Sequence, residues 1–425
     1  MKWPTIRLGD VCRVVPGFAF KSQDWTTAGI PVVKIKNIRE DNTVDLSATD
    51  HVPADILTPR LSKFVLKNND ILLAMTGATA GKVGRVRTNR PVLLNQRVAK
   101  IAPEKADPRF IWSIVSSQRY QELFFRLADG AAQPNMSGGQ IEGLEIPNPP
   151  IEVQRRVGAI LSAYDDLIEN NTRRIAILEE MARRLYEEWF VRFRFPGHQG
   201  VRMVESELGL VPEGWAITEL GALLSVEKGL SYKGSGLTGN GVPMVNLKNI
   251  LPGGGFRRDG TKPYSGEYKP RHVVRAGDIV LANTDLTQAG TVVGSPAIVP
   301  NMGVSECIFS HHIYAVRLHA ALAPSRPYVY WMLAHDSFKS FAKGHAVGTT
   351  VLGMPKEGVT NFRFARPHED LIRRFSNLAA PVHDLAEKLH AKTANLRATR
   401  DLLLPKLISG ELDVSAMPEP QALAA

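Results

Sequence analysis

Cysteine and long hydrophobic runs are scarce in this sequence, and each scarcity excludes a class of protein. Cys12 and Cys307 are the only cysteines among 425 residues. Two cysteines are too few for a disulfide framework or a cysteine-rich zinc site, so we expect two buried, unpaired thiols. No stretch approaches the roughly 18 apolar residues that a membrane helix requires, and the N-terminus lacks the apolar core of a secretion signal. We therefore expect no membrane contact and a location in the cytoplasm.

The charge balance is basic. Lysine and arginine number 52 against 42 aspartates and glutamates, which gives a net charge of +10 at pH 7. The surplus lies in two stretches, since residues 1–150 hold 20 basic and 14 acidic residues and residues 195–366 hold 17 and 12. A basic surface favours a polyanionic partner, so the composition indicates nucleic acid. A surplus of this size also fits evenly solvated basic faces, and that alternative stays open.

The sequence repeats itself once. Eleven residues recur with the same identity 212 positions later. The first copy comprises Trp3, Leu8, Gly9, Gly17, Lys21, Gly29, Pro31, Val33, Lys36, Asn37 and Ile38, and the second copy comprises Trp215, Leu220, Gly221, Gly229, Lys233, Gly241, Pro243, Val245, Lys248, Asn249 and Ile250. The segment 70–76, Asp-Ile-Leu-Leu-Ala-Met-Thr, recurs 208 positions later as Asp-Ile-Val-Leu-Ala-Asn-Thr, and each copy predicts a polar turn before a buried strand. The pattern predicts two similar domains in one chain.

Each half ends in a stretch of residues with a seven-residue hydrophobic period. Residues 151–195 and 367–412 each predict a long helix with one hydrophobic seam. The seam positions are Val157, Tyr164, Asn171, Leu178 and Leu185 in the first helix and Phe375, Val382, Leu389, Leu396 and Leu403 in the second. We expect the two helices to pack as an antiparallel coiled coil about a pseudo-dyad, with the polar Asn171 fixing the register. The alternative is that each helix folds back on its own domain.

Prolines and a glycine mark the second helix. Pro381 predicts a kink or a fresh start within it, because proline lacks the N–H that an interior helical position donates. Pro405 and Gly410 predict its end.

Each candidate motif for catalysis in this sequence fails a requirement of its chemistry. The loop 77–83, Gly-Ala-Thr-Ala-Gly-Lys-Val, has three residues between its glycines and a valine after the lysine, whereas a phosphate-binding loop needs four residues and then Ser or Thr. The segment 148–151, Asn-Pro-Pro-Ile, lacks the aromatic ring with which adenine methyltransferases stack on a flipped base. His311 and His312 lie near Cys307 and Glu306, but neighbouring strand residues point to opposite faces and suit one metal poorly. We therefore predict neither a catalytic residue nor a metal site.

Four segments resemble one protein family. These are 69–84, with the strand and the Thr-Gly-Ala-Thr-Ala-Gly-Lys-Val-Gly loop; 181–193, Met-Ala-Arg-Arg-Leu-Tyr-Glu-Glu-Trp-Phe-Val-Arg-Phe; 211–215, Val-Pro-Glu-Gly-Trp; and 402–412, Leu-Leu-Leu-Pro-Lys-Leu-Ile-Ser-Gly-Glu-Leu. Together they are similar to the specificity (S) subunit of Type I restriction-modification enzymes, over essentially the whole chain. The central segment departs from the family's usual acidic ending because Arg192 and Arg194 follow Phe190.

The resemblance implies an α+β fold with two mixed target recognition domains and two spacer helices. The expected boundaries are residues 1–150 and 205–366 for the recognition domains, 151–195 and 367–412 for the helices, and 413–425 for a flexible tail. The implied function is non-catalytic reading of a two-part target in double-stranded DNA, with the helices setting the gap. Two modification subunits and restriction subunits are the implied partners. S-adenosylmethionine, ATP and Mg²⁺ are then expected on those partners, and this chain is expected to bind no cofactor.

Candidate DNA contacts are polar residues beside strand ends. They are Lys36, Asn37, Lys82, Gln96, Arg97, Gln133 and Asn135 in the first half and Lys248, Asn249, His311, His312 and Thr349 in the second. The Lys-Asn pairs are identical in both halves, which favours shared structure or phosphate contact. The other positions differ between the halves, and we expect base reading from these. Two other functions stay open, a self-contained DNA-modifying enzyme with degenerate motifs and a general DNA-binding adaptor.

Overall fold

A computed structural model describes residues 3–128, 135–319 and 325–417. The chain forms two compact units that do not follow its linear order. The first unit combines the chain up to Asn171 with the chain from Lys392 onward, and the second unit is Thr172–Ala391. Both long helices are thus divided, and each unit contains the end of one helix and the beginning of the other.

The first unit is rich in short strands. Its described strands are β1 (Thr5–Arg7), β2 (Cys12–Pro16), β3 (Ile30–Val33), β4 (Asp50–Val52), β5 (Val65–Leu66), β6 (Ile71–Ala74), β7 (Val83–Arg85), β8 (Val92–Leu94), β9 (Val98–Pro103) and β10 (Glu145–Pro147). Its helices are α1 (Leu8–Val11), α2 (Pro108–Val115), α3 (Gln118–Ala128), α4 (Gly138–Glu142) and the first part of α5 (Ile151–Tyr186). One sheet has the order β2-β9-β6-β7 and a second has β4-β3-β8-β5, with β3 and β8 parallel. A further pair, β1 and β10, is antiparallel.

The second unit contains a matching set. Its strands are β11 (Met203–Ser206), β12 (Gly209–Pro212), β13 (Ala216–Glu219), β14 (Leu224–Lys228), β15 (Val242–Val245), β16 (Lys262–Tyr264), β17 (Val273–Val274), β18 (Ile279–Ala282), β19 (Thr284–Asp285), β20 (Pro296–Ile298), β21 (Cys307–Phe309), β22 (Ile313–Leu318), β23 (Leu352–Gly353) and β24 (Arg363–Arg366). Its helices are α6 (Arg326–Ala334), α7 (Asp336–Gly344), α8 (Glu357–Thr360) and the first part of α9 (Glu369–Ser409).

The sheet topology confirms the internal duplication. The second unit has sheets of order β14-β22-β18-β20 and β16-β15-β21-β17, and β15 and β21 are parallel. These orders reproduce those of the first unit strand for strand. The buried strands predicted from the segment 70–76 and its copy are β6 and β18. Every residue of each strand is buried, as their unbroken apolar runs predict.

The second long helix differs from its prediction. α9 runs without a break from Glu369 to Ser409, so the predicted fresh start at Pro381 is wrong, and Pro405 does not end the helix. Both prolines are exposed, so their rings project away from the packed side, and side-chain packing on that side keeps the helix intact. The helix ends at Gly410, which adopts φ +74° as the sequence predicts.

The two long helices pack in an antiparallel manner within each unit. In the second unit Ile175 lies in one cluster with Ala386 and Leu389, and the ring centroids of Tyr186 and Phe375 are 6.0 Å apart. As residue numbers increase along α5, the numbers of the contacting residues on α9 decrease. This confirms the predicted antiparallel pairing. The predicted seam positions are all buried or half-buried: Val157, Tyr164, Asn171, Leu178, Leu185, Phe375, Val382, Leu389, Leu396 and Leu403.

The long helices also contribute side chains to the hydrophobic cores of the units. The start of α5 joins the core of the first unit through Val157 and Leu161, and the end of α9 joins that same core through Leu407. The core of the second unit likewise contains Trp189, which follows α5, and Phe375 near the start of α9. The last segment of the chain thus completes the domain at its beginning.

Candidate nucleic-acid interface

The turn between β8 and β9 carries two of the predicted DNA contacts. Gln96 and Arg97 are exposed there, while their backbone groups are held by neighbouring segments. The Gln96 N–H donates to the Phe18 carbonyl at 2.9 Å, and the Arg97 carbonyl accepts from the Met75 N–H at 3.0 Å. Among the described residues, neither the Gln96 amide nor the Arg97 guanidinium has a hydrogen-bond or ion-pair partner. The turn therefore presents two polar side chains on a fixed backbone.

The turn between β21 and β22 has the same construction in the second unit. The His311 N–H donates to the Leu230 carbonyl at 2.9 Å, and the His312 carbonyl accepts from the Asn283 N–H at 3.1 Å. Leu230 forms an isolated bridge with Ser310, as Phe18 does with Asn95. His311 and His312 are therefore the structural counterparts of Gln96 and Arg97.

A glycine allows the close approach that fixes each turn. A Cβ on Gly17 would lie 2.2 Å from the Asn95 carbonyl oxygen, and a Cβ on Gly229 would lie 2.3 Å from that of Ser310. Both distances are far below any van der Waals contact, and the obstructing atoms are backbone. These are two of the residues that recur at the 212-residue offset, and the contact explains why glycine recurs there.

The expectation that His311 and His312 point to opposite faces of a strand is wrong. The two residues lie in a turn, not on opposite faces of a strand, and their ring centroids are 3.9 Å apart. The pKa of His312 lies below its ordinary value, mainly because the ring is partly buried and also because His311 and Lys228 lie nearby. Across the described ranges, no group of three or more His, Cys, Asp or Glu side chains is placed to hold a metal ion.

Basic side chains lie beside the turn of the first unit. The Asn95 N–H donates to the Val33 carbonyl at 3.1 Å, so the turn lies against the end of β3, which Lys34 and Lys36 follow. Both ammonium groups pair with Asp50, at 2.8 and 3.0 Å, and their hydrogen bonds lower the pKa of that carboxyl. The Lys34 ammonium also lies 3.4 Å from the centroid of the Trp25 ring. The repeat does not reveal Lys34 and Trp25, since neither belongs to the repeated residues.

Asn37 and Asn249 are not available to DNA, which corrects their place among the candidates. Asn37 is 2% exposed, and its amide donates to the carbonyls of Asp45 and Ala48. Asn249 is fully buried and donates to the Arg257 carbonyl at 2.8 Å. These amides hold the loops after β3 and β15, and this accounts for their repetition. Lys36 and Lys248 beside them are exposed, although the Lys36 ammonium pairs with Asp50.

The remaining candidates lie at different places. Asn135 is exposed and forms an isolated bridge with Thr76, next to the residue that binds the Arg97 carbonyl. Lys82 is half-buried and pairs with Glu40 at 3.3 Å, so its charge is already compensated. Thr349 is exposed, and its carbonyl accepts from the Gln288 amide. Gln133 lies outside the described residues.

Apolar side chains are exposed on the part of each long helix that belongs to the second unit. Ile177 and Met181 on α5 are 54% and 56% exposed, and their spacing of four residues places them on one helix face. Leu378 and Leu385 on α9 are 52% and 39% exposed and lie seven residues apart. We call these four residues the exposed helix residues. No described helix is long and apolar enough to cross a membrane.

Comparison with known proteins gives consistent results. The family model of the type I restriction modification DNA specificity domain matches residues 1–180. The chain is 22% identical to the type I restriction enzyme MjaIX specificity subunit of Methanocaldococcus jannaschii, covering 98% of this chain and 94% of that protein. It is 21% identical to the MjaVIII specificity subunit of the same organism, with 97% and 93% covered. The crystal structure of the S subunit of a type I restriction-modification system from M. genitalium has a similar fold, with a TM-score of 0.59, 14% identity and 96% of each chain covered.

Proposed function

We propose, since residues 1–180 match the type I restriction modification DNA specificity domain and the whole chain is similar to type I specificity subunits, that this chain reads a two-part target in double-stranded DNA and performs no chemistry itself. Each unit reads one part of the target, and the long helices set the gap between the parts. The observation that carries the proposal is the pair of matched turns, β8–β9 and β21–β22. One backbone arrangement occurs twice with different polar side chains, which suits the reading of two different sequences.

The division of labour follows from the chemistry of each group. Exposed lysines that recur in both units, Lys36 and Lys248, suit contacts to phosphate, which position a protein on the duplex without reading sequence. Amide, guanidinium and imidazole groups can hydrogen-bond to base edges in the major groove and discriminate between bases. Sequence reading and positioning are thus assigned to neighbouring but different side chains.

Methylation and cleavage are assigned to partner subunits. Two modification subunits would bring S-adenosylmethionine, and restriction subunits would bring ATP and Mg²⁺. Ile177 and Met181, exposed on one face of α5, support a docking role for the helices, because large exposed apolar patches on a monomer surface mark protein interfaces. We expect the variant Met181→Glu to lose co-purification with the modification subunit. The matched control Leu210→Glu, on the hairpin of β11 and β12, replaces a side chain that is 55% exposed and should retain it.

Selection from a pool of random duplexes tests the reading of DNA. The complex of this chain with its modification subunits is incubated with the pool at near-physiological salt, and bound duplexes are sequenced. We expect two enriched blocks separated by a constant number of unselected positions. Enrichment of one continuous block, or uniform salt-dependent binding without enrichment, would contradict the proposal, the latter being the behaviour of a general DNA-binding adaptor.

A further inference from the structure

The two matched turns carry different side chains on one scaffold. In the first unit the backbone of the turn is fixed by Phe18 and Met75, and in the second unit it is fixed by Leu230 and Asn283. Each of these hydrogen bonds differs in length from its counterpart in the other unit by no more than 0.1 Å. A difference in what the turns recognise must therefore come from their side chains and not from their backbone.

The first turn offers the donor and acceptor groups suited to two purines. A glutamine amide can bond the N6 and N7 of adenine together, and an arginine can bond the O6 and N7 of guanine. Gln96 and Arg97 are both exposed, and no described group competes for them. Arg90, in the turn before β8, is a second exposed arginine at the other end of the same strand.

The second turn offers imidazoles in place of the amide and the guanidinium. The His311 and His312 rings are in contact, and the Tyr232 ring centroid lies 6.0 Å from that of His311. The Nδ1 atom of His311 is buried without a hydrogen-bond partner among the described residues, and so is the hydroxyl of the fully buried Ser310. Unsatisfied buried polar atoms are rare and costly, and two of them lie at this turn.

We infer that residues 96–97 and 311–312 are the specificity-determining pairs of the two units, Gln96 and Arg97 for one part of the target and His311 and His312 for the other. This inference rests on the proposed function and names the residues that carry it out. Each pair acts on its own part of the target only, because each belongs to a different unit.

The test is the random-duplex selection repeated with variants in the complex with the modification subunits. Gln96→Ala and Arg97→Ala should each relax one position of a single block by about fivefold or more, since a bidentate contact to a base discriminates by about 1–3 kcal/mol. The double variant His311→Gln, His312→Arg should change preference in the other block and leave the first block unchanged. Arg90→Ala is the matched control, with the same loss of charge, and should leave both blocks unchanged.

The outcomes separate this inference from the proposed function. If the wild-type complex selects two blocks but Gln96→Ala and Arg97→Ala leave the preference intact, the inference is wrong and the proposed function remains. If the wild-type complex selects no blocks, the proposed function itself fails. His311 and His312 are half-buried and their replacement could disturb folding, so the exposed Gln96 and Arg97 decide the matter. If either variant binds more weakly but selects an unchanged motif, the replaced residue contacts phosphate and the inference is overturned.

Discussion

Asp165 holds three helices together in the first unit, and its replacement should loosen the end of the chain. The carboxylate accepts from the Trp112 indole N–H of α2 and from the Arg400 guanidinium of α9, both at 2.7 Å. The Asp165 side chain is 12% exposed and that of Arg400 is 26% exposed. Arg400 also pairs with Asp401 at 2.9 Å, but the Asp401 side chain is 61% exposed. One arginine thus has a shielded and a solvated partner.

The burial of the two carboxylates sets the expected magnitudes. A hydrogen bond to a charged group contributes about 1.5–3 kcal/mol, and breaking a buried ion pair costs about 3–5 kcal/mol. Because this site is not fully buried, we expect Asp165→Ala to lower the free energy of unfolding of the first unit by about 3 kcal/mol. The pair with Asp401 is exposed to solvent, and we expect Asp401→Ala to cost at most about 1 kcal/mol.

Hydrogen exchange measured on the full chain reports this difference locally. A cost of about 3 kcal/mol corresponds to roughly 150-fold faster exchange in peptides from α2 and from residues 392–409, provided that both open together. Asp401→Ala should accelerate the same peptides by about fivefold at most. Peptides around Phe375, in the second unit, should be unchanged in both variants. Equal acceleration by the two variants would refute the argument from burial.

Three further predictions concern cores and titratable groups. Leu407→Ala should destabilise the first unit by about 2–5 kcal/mol and accelerate exchange in α2, because Leu407 is 1% exposed in that core, whereas Leu402→Ala, at a site 69% exposed, should have no measurable effect. Burial raises the pKa of Cys12 to about 12 and that of Cys307 to about 11, so neither thiol should react with iodoacetamide at pH 8 within an hour, and mass spectrometry of the native chain checks this. Burial lowers the pKa of three histidines in the second unit, His272, His312 and His335. The unfolded state then binds protons first as the pH falls through 6.5, so the calorimetric unfolding temperature should fall between pH 7.5 and 5.5, and an unchanged or higher value would contradict this.

The duplication and the buried strands could be predicted from the sequence because local rules determine them. Gly17 and Gly229 recur because a Cβ would strike the backbone of the turn, and the amides of Asn37 and Asn249 recur because they bond the loops that follow β3 and β15. The repeat therefore identified the scaffold. It could not identify Asn37 as buried, since identity between the halves fits both a structural role and a phosphate contact.

The course of the long helices and the geometry at His311 and His312 depend on tertiary contacts, which sequence patterns do not specify. Proline propensity predicted an interruption at Pro381, but an exposed ring on a helix packed along its other side is tolerated. A seven-residue seam fits any complementary seam, so the sequence left open whether the helices pair or fold back. In the structure α9 contributes to both cores, since Leu407 joins the first core and Phe375 the second. The close approach of the His311 and His312 rings depends on a turn that strand periodicity did not reveal.

Sequencing of modified bases across a genome tests the central claim most directly. A host that lacks both this chain and its modification subunits receives the modification subunits either alone or together with this chain. We predict adenine methylation only when both are present, at one motif of two specified blocks separated by a constant gap. Methylation at the same sites without this chain, or at a motif of one continuous block, would contradict the account.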